Sequence, residues 1–264
     1  MTGYTLGETL LKVENVSLAY PPKLILRDIN FTIRDIIRTG MKQGQVISLL
    51  GRSGIGKTQL FMMLSGLNKP TSGKITIEGG KPVKAGDMGV VFQNYYLFEW
   101  RTIKQSLLLS AKKNKNLLGK ESDTISKYAE DFGLTDHLNK YPQQLSGGQR
   151  QRASIIQQLL NGSNFLLLDE PFSGLDIIVK EKVVELLQQV SESSDLLTMV
   201  IVSHDIENAI IISDTVFILG TEGDKPGSTI KKEINLIERG IAWDKDVKKT
   251  SRFLETMDEI KELL

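Results

Sequence analysis

The sequence predicts an α/β protein with a parallel-sheet core, an antiparallel β subdomain and an inserted helical subdomain. After residue 165, short continuous apolar stretches alternate with helical patterns, which favours parallel strands covered on both faces. Residues 10–20 and 29–33 alternate apolar with polar side chains, which favours half-buried antiparallel strands. Residues 101–140 are polar, rich in lysine and helix-patterned, and with the helix that follows they predict an inserted subdomain over about residues 101–160.

The remaining elements follow in chain order from their own patterns. Gln45–Leu50 is an apolar strand that leads into a glycine-rich turn and a helix over about 57–67. Further strands are predicted over 74–78, 88–92, 165–168, 197–202 and 215–219, and further helices from the Ser146 turn to about Leu160, over 178–191, over 205–213 and over about 250–264, where the pattern is amphipathic. The pattern predicts one domain over residues 10–220 with a C-terminal extension over 221–264, which opens with a Gly/Pro-containing turn over 221–228. It does not explain Arg34–Gly44, which is longer than a tight turn between two strands.

Composition excludes several functional classes. The chain has 264 residues, 25% of them charged, and a formal net charge of +1, so no overall basic field points to a nucleic-acid partner. It has no cysteine, which excludes disulfide scaffolds, thiol catalysis and cysteine-ligated metal and fits the cytosol. Two histidines, His137 and His204, argue against a zinc site built from histidine. The apolar runs are shorter than the about 18 residues of a membrane span, so we expect any action at a membrane to depend on a partner.

A glycine-rich stretch after the strand Gln45–Leu50 predicts a phosphate site. It reads Gly51-Arg52-Ser53-Gly54-Ile55-Gly56-Lys57-Thr58 and matches GxxxxGK[ST] between a strand and a helix. Glycines let backbone N–H groups wrap phosphates without Cβ clashes, and the helix adds its positive N-terminus. Lys57 would reach the β- and γ-phosphates and the Thr58 hydroxyl would ligate Mg²⁺. The stretch therefore predicts a P-loop NTPase fold with a RecA-like core.

Two acids follow the apolar strand Phe165–Leu168. In nucleotide hydrolases the first acid, here Asp169, orients Mg²⁺ through its water shell. The second, Glu170, is then free to polarise the attacking water. Adjacent residues of a strand point to opposite faces, so the two acids need not share one task.

The stretch Leu145-Ser146-Gly147-Gly148-Gln149 predicts a second anion site at a helix start. Ser146 is a good N-cap, and a helix N-terminus carries roughly +0.5 elementary charge. One chain already has a phosphate loop, so the second site makes sense if it serves the nucleotide of another copy. The pattern therefore favours a dimer.

Together these motifs resemble the ATP-binding subunit of ABC transporters. The resemblance covers about residues 10–220 and rests on the joint order of Gly51–Thr58, Gln93, Leu145–Gln149, Leu168–Glu170, Ser173–Asp176 and His204. It implies ATP and Mg²⁺ as cofactors and a head-to-tail dimer with a second ATPase subunit. Each of the two sites would pair one subunit's phosphate loop with the other's signature loop, Leu145–Gln149.

The resemblance also implies roles for single residues. Gln93 would touch the metal and water in a loop that senses the membrane partner, and His204 would contact the γ-phosphate, so that Lys57, Glu170 and His204 form the catalytic set. Tyr20 would stack on adenine, and Asp176 would cross the dimer interface. The metal set is Thr58, Gln93 and Asp169, and the second histidine, His137, is interpreted as structural.

The phosphate loop departs from the family pattern in two places. Arg52 stands where proline is commoner, and Thr58-Gln59 stands where Ser-Thr is commoner. Both keep the hydroxyl after Lys57, so nucleotide binding remains the expectation and Gln59 is included in the nucleotide site.

The stretch Phe92–Thr102 looks like the importers of nitrate, sulfonate and taurine, which usually read Leu-Pro-Trp where this chain has Phe98-Glu99-Trp100. Trp100 is expected near the groove that receives a permease helix, or else as an anchor of the helical subdomain. The resemblance implies a cytoplasmic, peripheral subunit on the inner face of the cell membrane. It would bind an integral permease through Gln93–Trp100, with an extracytoplasmic solute-binding protein as an indirect partner.

Two other classes share these motifs. A lipid or lipoprotein exporter, or a cell-division complex, would use the same cassette with a different membrane partner. Non-transport ABC ATPases act on DNA or ribosomes. Their chromosome-maintenance members insert long coiled coils before the signature, whereas the segment between Lys57 and Ser146 has room for a helical subdomain only. The translation-factor type carries two cassettes in one chain, and this chain has one.

Overall fold

The structure is a computed structural model that describes residues 3–38, 43–192, 194–244 and 246–264. Within these ranges the strands are β1 (Tyr4–Tyr20), β2 (Lys23–Arg38), β3 (Gln45–Leu50), β4 (Ser72–Ile77), β5 (Lys81–Pro82), β6 (Gly89–Val91), β7 (Phe165–Asp169), β8 (Thr198–Ser203), β9 (Thr215–Gly220) and β10 (Thr229–Asn235). The α-helices are α1 (Lys57–Leu64), α2 (Ile103–Ala111), α3 (Glu121–Asp131), α4 (Gly147–Leu160), α5 (Ile177–Glu192), α6 (Ile206–Ile212) and α7 (Ser251–Leu263).

The core is a six-stranded sheet in the order β10-β9-β3-β8-β7-β6. All neighbouring pairs are parallel except β10 with β9. The strands β3, β7 and β8 are buried along their whole length, as expected for apolar strands covered on both faces. Because parallel strands end at the same edge of a sheet, the residues after β3, β7 and β8 lie along one edge. That edge carries the candidate site.

The antiparallel subdomain is a four-stranded sheet in the order β2-β1-β4-β5. β1 and β2 pair from Tyr20↔Lys23 to Tyr4↔Arg38 and are longer than the strands predicted over 10–20 and 29–33. Residues 34–38 of the unexplained insertion extend this ribbon, and residues 39–42 lie outside the described residues. Register shifts between Leu6 and Leu11 interrupt the regular alternation, which is why the pattern did not predict the extension.

The segment between β6 and β7 contains the helices α2, α3 and α4 and forms the helical subdomain. Its apolar faces join one buried cluster with α5 and with strands of the core sheet. The backbone N–H of Lys104, in the first turn of α2, donates to Leu138 O at 2.7 Å, and that of Ile103 donates to Lys140 O at 2.9 Å. These bonds attach the segment before α4 to the start of α2. The predicted α/β fold class is confirmed.

The C-terminal extension packs on the core sheet. The strand β10 was not predicted, whereas the predicted helix over 250–264 is confirmed as α7. Thr250 caps α7, since its Oγ1 accepts from Phe253 N at 3.2 Å, and Phe253 and Ile260 are buried in a cluster with residues of β9. Among the described residues, no helix combines the length and the apolar character that a membrane crossing requires.

A fully buried carboxylate, Asp214, joins three distant parts of the chain. It accepts hydrogen bonds from the guanidinium of Arg38, from Trp243 Nε1 at 2.8 Å and from the backbone N–H of Val46 at 2.8 Å. Burial raises the pKa of the Asp214 carboxyl, and the charge of Arg38 offsets part of that effect. The end of β2, the start of β3 and the C-terminal extension therefore meet at one buried charge.

Asp214→Ala should lower the free energy of unfolding by about 3–5 kcal/mol, because it leaves the Arg38 charge buried without its partner. Urea unfolding measures the difference. The matched control is Asp246→Ala, which removes an exposed ion pair with Lys249 and should cost less than about 1 kcal/mol. Equal losses of unfolding free energy in the two variants would contradict a stabilising role for Asp214 between β2, β3 and the C-terminal extension.

Candidate nucleotide site

The phosphate loop connects β3 to α1 at the carboxyl edge of the sheet. Gly54 and Gly56 have φ values of 78° and 104°, which L side chains rarely adopt. A Cβ on Gly56 would also lie 2.9 Å from Leu26 Cδ2, so only glycine fits the turn into α1. Lys57 Nζ donates to the carbonyl oxygens of Gly51, at 2.9 Å, and Arg52, at 3.2 Å. The lysine is thus folded back over its own loop.

Glu170 contacts two residues of the predicted catalytic set. Its Oε1 lies 3.3 Å from Lys57 Nζ, and its Oε2 lies 2.7 Å from His204 Nδ1. The backbone of Glu170 has a φ of 49°, in the left-handed region, and is held there because its N–H donates to Val202 O at 2.8 Å. The structure therefore brings together Lys57, Glu170 and His204, the three residues to which the resemblance assigns the catalytic set.

Asp169, the last residue of β7, is buried with 8% of its surface exposed. Its Oδ1 has no hydrogen-bond partner among the described residues. Burial, together with the neighbouring charge of Glu170, raises the pKa of Asp169 to about 6, while Lys57 lowers it. A buried carboxylate oxygen without a donor suits a hard cation, which takes oxygen ligands.

The residues around Asp169 fit Mg²⁺ of a nucleotide complex. No group of three His, Cys, Asp or Glu side chains in the described ranges could hold a metal ion. Mg²⁺ in nucleotide sites needs no such cage, since it keeps several waters and takes one or two protein ligands plus phosphate oxygens. Thr58, Gln93 and Asp169, the predicted metal set, each carry a side-chain oxygen of the kind that such a site would use.

Three serines near these residues were not predicted as site residues. Gln93 Nε2 donates to Ser173 Oγ at 3.2 Å, which ties the loop after β6 to the loop after β7. Ser203 Oγ lies 3.5 Å from Glu170 Oε2 and accepts from Asp205 N at 3.0 Å. Ser228 Oγ donates to Ile55 O at 2.7 Å and so fixes the phosphate loop from the C-terminal extension. In the sequence, the feature that could have pointed to Ser203 as a site residue is its position next to His204.

Tyr20 lies beside the phosphate loop with about half of its surface exposed. Its hydroxyl donates to Gln59 Oε1 at 3.1 Å and accepts from Asn68 Nδ2 at 3.1 Å. These bonds fix the phenol end, and the exposed ring remains available for stacking. The amide of Gln59 is therefore engaged with Tyr20 in this structure.

The signature loop is built on the helical subdomain. Ser146 is the N-cap of α4, its Oγ accepts from Gln149 N at 3.4 Å, and Gln149 Oε1 accepts from Ser146 N at 2.9 Å, so the two residues form a capping box. A Cβ on Gly147 would meet nothing within 4 Å, so the space before the helix is open. In the described part of the chain, no hydrogen bond or ion pair joins this loop to the phosphate loop. The structure does not bring the two predicted anion sites together within one chain.

Asp176 caps α5, since its Oδ1 accepts from Val179 N at 2.9 Å. One turn further, Lys180 forms an ion pair of 2.7 Å with Asp205, which in turn caps α6. Burial alone would raise the pKa of the Asp205 carboxyl. Its hydrogen bonds with Lys180 and Asn208, together with the charge of Lys180, outweigh burial and leave this pKa below its ordinary value. The loop that carries Asp176 is thus attached to the residue after His204.

Asp169→Asn should raise the free energy of unfolding of the Mg²⁺-free protein at pH 8, because the wild type must then hold a buried ionised carboxylate. The folded pKa of about 6 lies above the unfolded value of about 4, so the wild type loses stability as the pH rises through that window. Urea unfolding at several pH values should show a gap that opens between about pH 4 and 6 and stays constant above.

Asp258→Asn, which changes an exposed carboxylate of α7, is the control and should show no such opening gap. A variant Asp169→Asn that is no more stable than the wild type at pH 8 would contradict the prediction.

Comparison with known proteins gives the family. A model of the ABC transporter family matches residues 35–173. An uncharacterised ABC transporter ATP-binding protein of Bacillus subtilis is 36% identical over 232 residues, 86% of each chain. A nitrate import ATP-binding protein of Synechocystis is 32% identical over 237 residues, 86% of each chain. A taurine import ATP-binding protein of Pelagibacter ubique is 32% identical over 239 residues, 89% of this chain and 85% of that one.

Solved structures agree. The protein cbiO1 of Clostridium perfringens, part of the ABC transporter complex cbiONQ, superposes with a TM-score of 0.73 at 26% identity and covers 96% of this chain and 99% of its own. A dimeric ATP-binding cassette bound to ADP and Pi superposes with a TM-score of 0.68 at 27% identity, over 86% of this chain and 99% of its own. The chain belongs to the ABC transporter family and is one of its ATP-binding, ATP-hydrolysing subunits.

Proposed function

We propose that this subunit works as a head-to-tail dimer under a membrane permease and couples Mg-ATP binding and hydrolysis to solute import. One observation carries the dimer. The chain has two glycine-containing helix starts, at Gly56–Lys57 and at Ser146–Gly147, and the space in front of the second is open, since a Cβ on Gly147 would meet nothing within 4 Å. A second copy in head-to-tail arrangement would place its nucleotide there, and the dimeric cassette bound to ADP and Pi supports a dimer.

Each residue of the site would have a distinct task. The backbone of Gly51, Arg52, Ser53, Gly54, Ile55, Gly56 and Lys57 would wrap the phosphates, with the side chain of Lys57 on the β- and γ-phosphates. Thr58, Asp169 and Gln93 would hold Mg²⁺, which when bound neutralises charge on the phosphate oxygens. Tyr20 would stack on adenine beside Gln59.

Nucleotide binding would rearrange the contacts of Glu170. Lys57 Nζ cannot bind a γ-phosphate at full strength while it is paired with Glu170 Oε1 at 3.3 Å. Phosphate would take over the lysine and leave the carboxylate free to accept a proton from the attacking water. His204 Nδ1, at 2.7 Å from Oε2, would keep Glu170 oriented and present its other ring nitrogen toward the γ-phosphate.

The partner's signature loop would complete the site. The partner's Ser146, Gly147, Gly148 and Gln149 would bring the positive end of its α4 to the γ-phosphate, a task that an arginine finger performs in other phosphoryl-transfer enzymes. Asp176, exposed at the start of α5, would lie at the same interface. ATP would thereby join the two subunits, and hydrolysis would release them.

An exposed aromatic patch, Tyr96, Phe98 and Trp100, would bind the permease. Trp100 and Tyr96 are 72% and 67% exposed, and Trp100 is supported by Phe98, with ring centroids 5.5 Å apart. Exposed aromatic rings are typical centres of protein interfaces. The patch follows Gln93, so binding there would reach the metal site directly. The subunit would be cytoplasmic and peripheral on the inner face of the membrane, with an extracytoplasmic solute-binding protein as an indirect partner.

The solute that we expect to be imported is nitrate-, sulfonate- or taurine-like, since relatives are named for nitrate and taurine import. A lipid or lipoprotein exporter or a cell-division complex is the alternative, because specificity of this kind lies in the membrane partner.

Glu170→Gln should bind ATP, hydrolyse it poorly and accumulate as an ATP-bound dimer, because the amide cannot take a proton from water. Gel filtration with ATP and an assay of phosphate release measure both effects. Glu181→Gln, on α5, changes a carboxylate outside the site and should behave as the wild type. Normal turnover of Glu170→Gln would reject Glu170 as the base.

The tagged chain, purified from detergent-solubilised membranes of its own cells, should recover a multi-span permease, identified by mass spectrometry. Trp100→Ala should reduce that recovery strongly, whereas Leu118→Ala, which removes another exposed apolar side chain of the helical subdomain, should not. Recovery of ribosomes or DNA in place of a permease would overturn the transport proposal.

A further inference from the structure

His137 is joined to the signature loop by a hydrogen bond that the sequence does not predict. It is the last residue of the 3-10 helix Thr135–His137, between α3 and α4. Its Nε2 lies 2.8 Å from Nε2 of Gln149, the third residue of α4. The earlier interpretation of His137 as merely structural leaves this contact unexplained.

The two ends of the Gln149 amide face groups of opposite kind. Gln149 Oε1 lies 2.9 Å from the backbone N–H of Ser146, which can only donate. The reversed amide would set its NH₂ group against that N–H, donor against donor. The NH₂ group therefore points to His137, whose Nε2 has to accept. The imidazole proton then lies on Nδ1.

The hydrogen bond between Gln149 and His137 fixes the amide orientation in which Gln149 caps α4. The capping box depends on two bonds, and the one from Gln149 N to Ser146 Oγ is long, at 3.4 Å. The hydrogen bond to His137, which lies outside the signature loop, restricts the Gln149 side chain to one amide orientation. Because Ser146 Oγ accepts from Gln149 N, the hydroxyl proton of Ser146 is available to donate to a phosphate.

The position of His137 is itself well defined. Its backbone N–H donates to Leu134 O at 2.9 Å and its carbonyl accepts from Lys140 N at 3.0 Å. The residues that follow are bonded to the first turn of α2, through Lys104 N and Ile103 N. The Nδ1 atom is buried and has no partner among the described residues, so no second group competes for the ring orientation.

We propose that His137 is a positioning residue for the nucleotide of the neighbouring subunit. By holding Gln149, it keeps the N-terminus of α4 and the Ser146 hydroxyl in the geometry that receives the γ-phosphate. The inference rests on the proposed function, because that function assigns the signature loop to the partner's ATP. His137 does not touch the nucleotide and acts through Gln149.

Two substitutions separate this role from simple packing. His137→Leu removes the acceptor at similar volume, whereas His137→Gln keeps an acceptor oxygen near the place of Nε2. ATP turnover by the dimer should fall about fivefold in His137→Leu, the effect of one lost capping interaction, and return to the wild-type value in His137→Gln. Affinity for a fluorescent ATP analogue, which reports each chain's own phosphate loop, should not change in either variant.

The results decide between the two roles. Wild-type turnover in His137→Leu, or an equal loss in both variants, overturns the proposal. In the background Gln149→Met, where the amide is absent, His137→Leu should cause no further loss, and an additive loss also overturns it.

The tautomer of His137 can be measured in the wild-type protein, so this test does not depend on whether a variant folds. Long-range ¹H–¹⁵N spectra of the wild-type protein should show an unprotonated Nε2 and a protonated Nδ1. The opposite tautomer overturns the proposal.

Ser146→Arg, measured alongside in mixed dimers, separates failure of this inference from failure of the proposed function. It should abolish hydrolysis at the site whose phosphate loop belongs to the other subunit. If it does so while His137→Leu turns over normally, the His137 role alone is wrong. If Ser146→Arg has no effect on that site, the shared-site function is wrong as well.

Discussion

The carboxylate of Glu170 holds the site together, because side chains from two other elements meet on its two oxygens. Lys57, at the start of α1, pairs with Oε1, and His204, after β8, pairs with Oε2. The left-handed backbone of Glu170 turns this carboxylate out of the sheet edge while Asp169, one residue earlier, remains buried. In the proposed function, the contact that keeps the site assembled is also the contact that ATP has to break. Release of Glu170 from Lys57 would therefore couple phosphate binding to activation of the base.

Much of this site could be predicted from the sequence, because each motif follows an apolar strand directly. The phosphate loop follows Leu50, the acids end β7, and His204 follows β8. Buried parallel strands are recognised by composition, and their carboxyl ends lie at one edge, so local patterns were enough to place these residues near one another. The same local reasoning could not predict the contacts of Ser173 and Ser203, because those contacts depend on neighbours brought in by the fold.

Two other features escaped prediction because charged residues occur where the fold buries the chain or pairs it in a sheet. The edge strand β10 contains Lys231, Lys232 and Glu233, which hide its alternation. Arg38 and Asp214 look like two surface charges in sequence, yet they form a buried pair that fixes Trp243 and the C-terminal extension. Such pairs depend on partners far apart in the chain, and no local pattern signals them.

The helical subdomain places the proposed docking patch and the signature loop at opposite ends of one short connection. Trp100 comes two residues before Thr102, which caps α2. The first N–H groups of α2 donate to carbonyls of the segment that follows His137, and His137 contacts Gln149. A displacement of the docking patch would therefore move the start of α2 and, through two backbone hydrogen bonds, the group that orients the signature loop. This connection does not cross the core sheet, so by this route a permease could shift the loop that serves the partner's ATP while Lys57, Glu170 and His204 keep their own arrangement. Movement of this kind would act on the partner's nucleotide through the signature loop, whereas the loop of Gln93 would carry the same displacement to the site that this chain builds.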